Sequence, residues 1–184
     1  MGARKHHWPH LGAEPPKADR LALAEPLVCA EAVVRELHRG DAGLLFEAAR
    51  HVAVVRGDIT LPRTPEAATA MLADFERLRR DGRANLYGVL RPDDHALAGV
   101  VSMRTDDDLV AECACWNGSE KEDREVTAIG LNLLTGYAHR TLHLVQLWVL
   151  VDAVDPFTRR LAYKGGWTED GPDAAGRVRF CSVG

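Results

Sequence analysis

The chain has 184 residues, 46% of them hydrophobic, and its 23 basic and 27 acidic side chains leave a net charge of -4. That length suits one domain with a sizeable core, and that balance gives no broad basic footprint for nucleic acid. No apolar run reaches bilayer length, and the start Met-Gly-Ala-Arg-Lys-His-His-Trp-Pro-His lacks the apolar core of a signal peptide. A cytoplasmic protein with neither nucleic-acid nor membrane partner is expected.

In chain order, residues 1–20 carry Pro9, Pro15 and Pro16 and read as a flexible lead-in to one domain over 21–184. Residues 28–34 are strand-like. Asp41 is placed to cap a helix running to about Arg50, with Leu44, Leu45, Ala48 and Ala49 inward. Residues 52–63 fit no single element, and Leu61-Pro62 ends whatever precedes it. Thr64-Pro65 is a helix start, a hydroxyl cap followed by proline at the first helical position. Ala68, Met71, Leu72, Phe75 and Leu78 follow at helical spacing, and Gly82 is a terminator.

The hydrophobic period then changes. Residues 86–90 and 97–103 read as strands joined by the turn-rich Arg91-Pro92-Asp93-Asp94-His95, and 109–116 as a third strand. From Val126 onward, Val126, Ile129, Leu133 and Tyr137 recur at spacings of three and four, the mark of a buried helix face. Residues 145–151 (Val-Gln-Leu-Trp-Val-Leu-Val) are β-rich and almost wholly apolar, as a central strand should be. A short helix over 156–164, stopped by Gly165-Gly166, and a last strand over 177–183 complete the chain.

The four cysteines do not make a disulfide scaffold at this length. Cys113 and Cys115 share one face of their strand, and no further Cys or His cluster has ligand spacing. They read as buried thiols, and no metal is expected. His6, His7 and His10 belong to the lead-in. His139 and His143 lie near a helix end, where a cationic ring suits the dipole.

The segment 111–127 reads Ala-Glu-Cys-Ala-Cys-Trp-Asn-Gly-Ser-Glu-Lys-Glu-Asp-Arg-Glu-Val-Thr. It resembles the fourth strand and cofactor loop of GNAT acyltransferases of the ribosomal-protein-acetylating kind, in which a strand A-E-x-G-Y-W leads into a loop R-G-x-G-x-A that opens a helix. Ala111, Glu112 and Trp116 fall on family letters. The loop Arg falls on Glu122, its glycines on Asp123 and Glu125, and its Ala on Thr127. A second fragment, residues 147–171, is similar to the family's V-x-x-x-N-x-x-S-x-R-x-x-E-K-x-G-F-x-x-E-G. Val151, Arg160, Lys164, Gly166 and Gly171 match; Asp155 takes the Asn position, Thr158 the Ser position and Trp167 the Phe position. The resemblance covers about Leu21 to Gly171.

The resemblance implies an α+β fold: a central, mostly antiparallel twisted sheet of about six or seven strands flanked by helices. The strands at 109–116 and 145–151 should splay apart at one end. It implies acyl transfer from a thioester, acetyl-CoA or another acyl thioester, to an amine of a small molecule or peptide, by a monomer or homodimer. Such chemistry needs a base for the ammonium, donors for the thioester oxyanion and an acid for the leaving thiolate. Glu112 is the candidate base, its other reading being a solvated strand carboxylate. Thr158 is a candidate hydroxyl group or a helix cap. Tyr163 is a candidate acid, but lies one residue, about 100° of helix, from the family's tyrosine position. Trp116 and Asn117, Arg124, Val126 and Thr127 at the helix start, and Asp155 are the candidate cofactor-binding residues. The loop departs from the family where pyrophosphate normally lies against glycine backbone at a helix N-terminus. Weak binding of free CoA follows. A donor arm carried by an acyl carrier protein as phosphopantetheine would not need that loop. The fold repurposed for another small-molecule reaction, and a non-catalytic binding module, remain the alternatives.

Overall fold

The computed structural model describes residues 19–105, 109–151, 166–172 and 176–184. Among them, nine strands form one sheet: β1 (Leu27–Val28), β2 (Val33–Glu36), β3 (Val52–Arg56), β4 (Ala84–Leu90), β5 (Leu97–Arg104), β6 (Val110–Gly118), β7 (Gln146–Val151), β8 (Thr168–Pro172) and β9 (Val178–Val183). The spatial order is β1-β2-β4-β5-β6-β7-β9-β8, with β3 added on β6. Every pairing is antiparallel except β6 with β7.

Among the described residues, three α-helices cover the sheet. Helices α1 (Ala42–Ala49) and α2 (Pro65–Arg80) lie on one face, and α3 (Lys121–Arg140) lies on the other. Two cores result. The α3 side buries Tyr87, Met103, Cys113, Leu134, Leu147 and Phe180; the α1/α2 side buries Leu45, Leu72, Phe75, Leu86, Val100 and Trp116. Alternation along each strand sends odd and even residues to different cores.

Local chemistry explains most element ends. Thr64 accepts the Ala67 N–H at 3.1 Å, Pro65 opens α2, and Arg77, Arg79 and Arg80 face its negative end. Gly82, at φ +68°, takes the left-handed turn past the end of α2 and donates its N–H to Arg79 O. Asp41 stands at the start of α1, but its side chain makes no cap. Instead, it holds Arg35 with two hydrogen bonds, at 2.7 and 2.9 Å, and accepts the His38 N–H.

Four expectations change. The strand at 28–34 is a hairpin, with the Cys29 N–H donating to Ala32 O across the turn between β1 and β2. Residues 52–56 of the undecided segment are a strand. The α3 helix begins at Lys121, five residues before its apolar stripe, because Glu122 and Asp123 favour a helical first turn. Strand β8, polar and mostly exposed, adds an edge the hydrophobic pattern did not show. The short helix expected at 156–164 lies outside the described residues.

Candidate active site

Strands β6 and β7 pair only from Val110↔Gln146 to Cys113↔Val149. Beyond Cys113, β6 runs on to Gly118 with no ladder to β7, so the two central strands splay, as the resemblance implies. Glu112 lies one residue before the divergence. It is half-buried and shares the α1/α2 face with Ala114 and Trp116, paired across the sheet with Arg104 on β5 and Trp148 on β7. Arg104 stacks on Phe75 at 5.6 Å and borders a cavity of about 320 Å³ lined by Ile59, Leu61, Met71, Phe75 and Leu78. Arg179 stacks on Trp148 at 5.2 Å. Glu112 therefore lies among cations and aromatic rings, and its neighbour Arg104 borders the half-apolar cavity.

Trp116 is wholly buried in the α1/α2 core, and its indole N–H has no hydrogen-bond partner among the described residues. Its neighbour Asn117 faces the other way, buried, with its amide donating to Gly118 O at 2.7 Å. The edge of these residues that faces the splay is already used. Strand β3 pairs with it as Val55↔Trp116, Val54↔Asn117, Arg56↔Cys115 and Val52↔Gly118, with a bulge between Val52 and Val54. Gly57, at φ +74°, sits at the apex: its N–H donates to Leu150 O of β7 at 3.0 Å, and a Cβ placed on it would lie 2.7 Å from Ala114 Cβ. The chain's own strand occupies the splay.

The helix start is equally altered. Only Ser119 and Glu120 separate β6 from α3, so Glu122, Asp123 and Glu125 lie inside the helix rather than in a loop before it. The Asp123 carboxylate folds back over the strand end: a Cβ on Gly118 would lie 2.1 Å from Asp123 Oδ2. It accepts the Glu120 backbone N–H and pairs with Arg91 at 3.2 Å. Burial pushes the Asp123 carboxyl above the ordinary range, Arg91 pulling against it and Glu120 and Glu122 adding to the rise. A second cavity of about 320 Å³, lined by His51, Arg91, Ser119 and Glu120, adjoins it. Arg124 is half-buried one turn into α3. Val126 and Thr127 are buried in the sheet–helix contact, Thr127 Oγ1 donating to Asp123 O at 2.7 Å and facing Gly99.

The structure thus brings Glu112, Trp116 and Asn117 to the splay and Arg124, Val126 and Thr127 to the adjoining helix start. Asp155, Thr158 and Tyr163 lie outside the described residues. The sequence reading missed β3, Gly57, Arg91 and Arg104. The run Val52-Ala-Val-Val-Arg ending on glycine carried the strand signal. Cys113 and Cys115 are buried, as expected; burial raises the Cys113 thiol, which makes it a poor nucleophile. Among the described residues, no group of three or more His, Cys, Asp or Glu could hold a metal, and no helix is long and apolar enough to cross a membrane.

This strand order, with a parallel central pair that diverges and a helix opening beside it, is the GNAT fold. Solved structures of that fold match most of the chain at low identity. The ribosomal-protein-S5-alanine acetyltransferase from Vibrio fischeri matches at TM-score 0.75 and 12% identity, over 86% of this chain and 96% of its own. The ribosomal L7/L12 α-N-protein acetyltransferase RimL, in complex with coenzyme A, matches at 0.68 and 15%, over 86% and 98%. A chimeric spermidine N-acetyltransferase from Vibrio cholerae and hSSAT matches at 0.64 and 17%, over 83% and 95%. No protein-family model and no curated protein matches the sequence.

Proposed function

We propose that the protein transfers an acyl group from a thioester to an amine of a small molecule or peptide. The observation that carries this reading is the divergence of β6 from β7 directly after Glu112, with a half-apolar cavity on the same face. The bound thioester would supply an electrophilic carbonyl; the C–S bond breaks as the C–N bond forms, and the amine's proton leaves. Glu112 takes one proton from the ammonium before attack, so that a lone pair is available; the proton lost from nitrogen after attack balances the one the leaving thiolate gains. Thr158 and Tyr163 are the candidate partners for the leaving thiolate, and Asp155 a candidate donor-binding residue.

Coenzyme A does not fit the residues as they stand. Asp123 covers the Gly118 backbone, and Glu120, Glu122 and Glu125 surround the helix start, while β3 on the β6 edge stands in the way of any donor arm alike. Like charges this close repel a pyrophosphate. A pantetheine thioester without the nucleotide, such as one borne by an acyl carrier protein, meets none of these acids and is the better-suited donor. The test offers acetyl-pantetheine, an acyl carrier and acetyl-CoA to the protein with a panel of amines, scored by mass spectrometry for amide product. Product formation that Glu112→Gln suppresses supports the reading; no product with any donor overturns it. A second reading is favoured by the seated β3: the fold has left thioester chemistry for another small-molecule reaction or for binding alone. Turnover of a non-thioester substrate supports the former, and ligand retention without turnover the latter.

A further inference from the structure

We infer that β3 is an intramolecular competitor for the donor slot, so that the protein is closed until β3 is displaced. The inference rests on the acyl-transfer reading only for what enters the slot; the occupancy itself is independent of it.

The β6 edge facing the splay is divided between two occupants. Residues 110–113 pair with β7 and residues 115–118 with β3, while Gly57 lies against Ala114 at the junction. A pantetheine arm is an extended chain carrying two amides. It would have to bond the same β6 backbone groups that β3 holds, since each N–H and C=O offers one outward direction in a sheet. Binding of one therefore excludes the other, by backbone chemistry rather than side-chain fit.

The seat is specific yet shallow. Its register is interrupted by a bulge between Val52 and Val54, which weakens a ladder locally. Val55, in its middle, is 39% exposed. Its anchors lie at the ends: Val52 packs against the α1/α2 core, and Ile59 is buried in it. Among the described residues β3 pairs with no strand other than β6, and its link to β7 is the hydrogen bond from Gly57 to Leu150 O. Eight residues, 57–64, join β3 to α2, so the strand can leave β6 with α2 in place. The same stretch supplies Ile59, Thr60, Leu61 and Pro62 to the cavity beside Arg104.

Gly57 makes the proposal testable. Alanine there is strained at φ +74°, and its Cβ would lie 2.9 Å from Ala114 Cα, which cannot yield as a flexible side chain would. Gly57→Ala should therefore unseat β3. Hydrogen–deuterium exchange of the full chain should show the amides of residues 52–56 losing protection by at least about tenfold. Titration with acetyl-pantetheine should show tighter apparent binding by a comparable factor, because a closed form lowers apparent affinity by the open fraction. In the wild type, saturating acetyl-pantetheine should deprotect 52–56 while 115–118 stay protected. Val55→Pro, at an exposed position, removes a strand N–H and serves as a second variant if Gly57→Ala does not fold. Unchanged protection in a folded variant overturns the inference, as does loss of protection with no change in acetyl-pantetheine binding. If β3 unseats and acetyl-pantetheine binds but no amine is ever acylated, the competitor stands and acyl transfer falls.

Discussion

Glu112 is half-buried beside Arg104 and Trp148, one residue before β6 leaves β7. A base in that place should contribute about 10²–10⁴-fold to turnover. Glu112→Gln keeps size and hydrogen-bonding capacity, so product formation from acetyl-pantetheine should fall by about that factor while the melting temperature holds. A wild-type rate at saturating donor and acceptor removes Glu112 from the mechanism. Asp123 poses the reverse case, a carboxylate lying where an anionic ligand would. Replacing Asp123 and Glu125 together by glycine uncovers the Gly118 backbone, frees the Glu120 N–H and removes two charges. Coenzyme A binding by calorimetry should strengthen, even though losing N-terminal acids costs the helix about 0.3–1 kcal/mol each. Unchanged or weaker binding would show that these acids do not oppose the nucleotide. Asp41 gives a pH signature. Its hydrogen bonds to the Arg35 guanidinium hold its carboxyl below the ordinary range, with burial opposing them. A lowered folded-state value stabilises the fold fully above the unfolded value, about 3.9, and that stabilisation is lost as pH falls through the folded value. Asp41→Asn should therefore melt earlier than wild type at neutral pH, and the gap should close in acid below about pH 3.9.

At the scale of elements, α2 was legible in detail because its signals are local: a hydroxyl, a proline, a 3.6-residue apolar stripe and a glycine. Thr64→Ala should cost about 0.5–2 kcal/mol in chemical denaturation, since Ala67 N–H loses its acceptor. The central strands were legible for the same reason; β4 and β5 are buried almost throughout, so their apolar runs stand out. The start of α3 was legible only through its acids. Its first turn, Lys121 to Arg124, is charged throughout, and its helicity comes from acids at an N-terminus rather than from a stripe. The run at 52–56 carried a local strand signal, but the place of β3 is decided by a long-range ladder to β6, which no local pattern records. So the sequence displayed Glu112, Trp116 and Asn117 on their strand, and could not display what lies against their backbone. Arg91 and Arg104 were invisible likewise: the ion-pair partner of Arg91, Asp123, and the cross-strand neighbour of Arg104, Glu112, come from other elements.

Across the whole molecule, α3 sets the spacing on its face of the sheet. It packs against β4, β5 and β6 and is closed down on them by two residues without side chains. A Cβ on Gly130 would lie 2.4 Å from Val89 Cγ1, and one on Gly99 would lie 2.3 Å from Thr127 Oγ1. These contacts set how near α3 comes to the sheet, and hence where Glu120 and Asp123 stand relative to Gly118 at its other end. Gly130→Ala gains helix propensity, about 1 kcal/mol over glycine, but drives a methyl into Val89. Overpacking in a tight core costs about 1–3 kcal/mol, so the net effect in chemical denaturation should be destabilising. The sign rests on whether Val89 can give way, which a double variant decides. Val89→Ala alone opens space in the core around Tyr87 and Leu134 and destabilises by cavity formation. Combined with Gly130→Ala, the added methyl enters the space the valine leaves. The pair should then lose less stability than the sum of the two single changes, with a coupling of at least about 0.5 kcal/mol, as residues in direct contact show. Strict additivity would mean that α3 is not seated on Val89, and that the helix start takes its position from the β6–α3 turn alone.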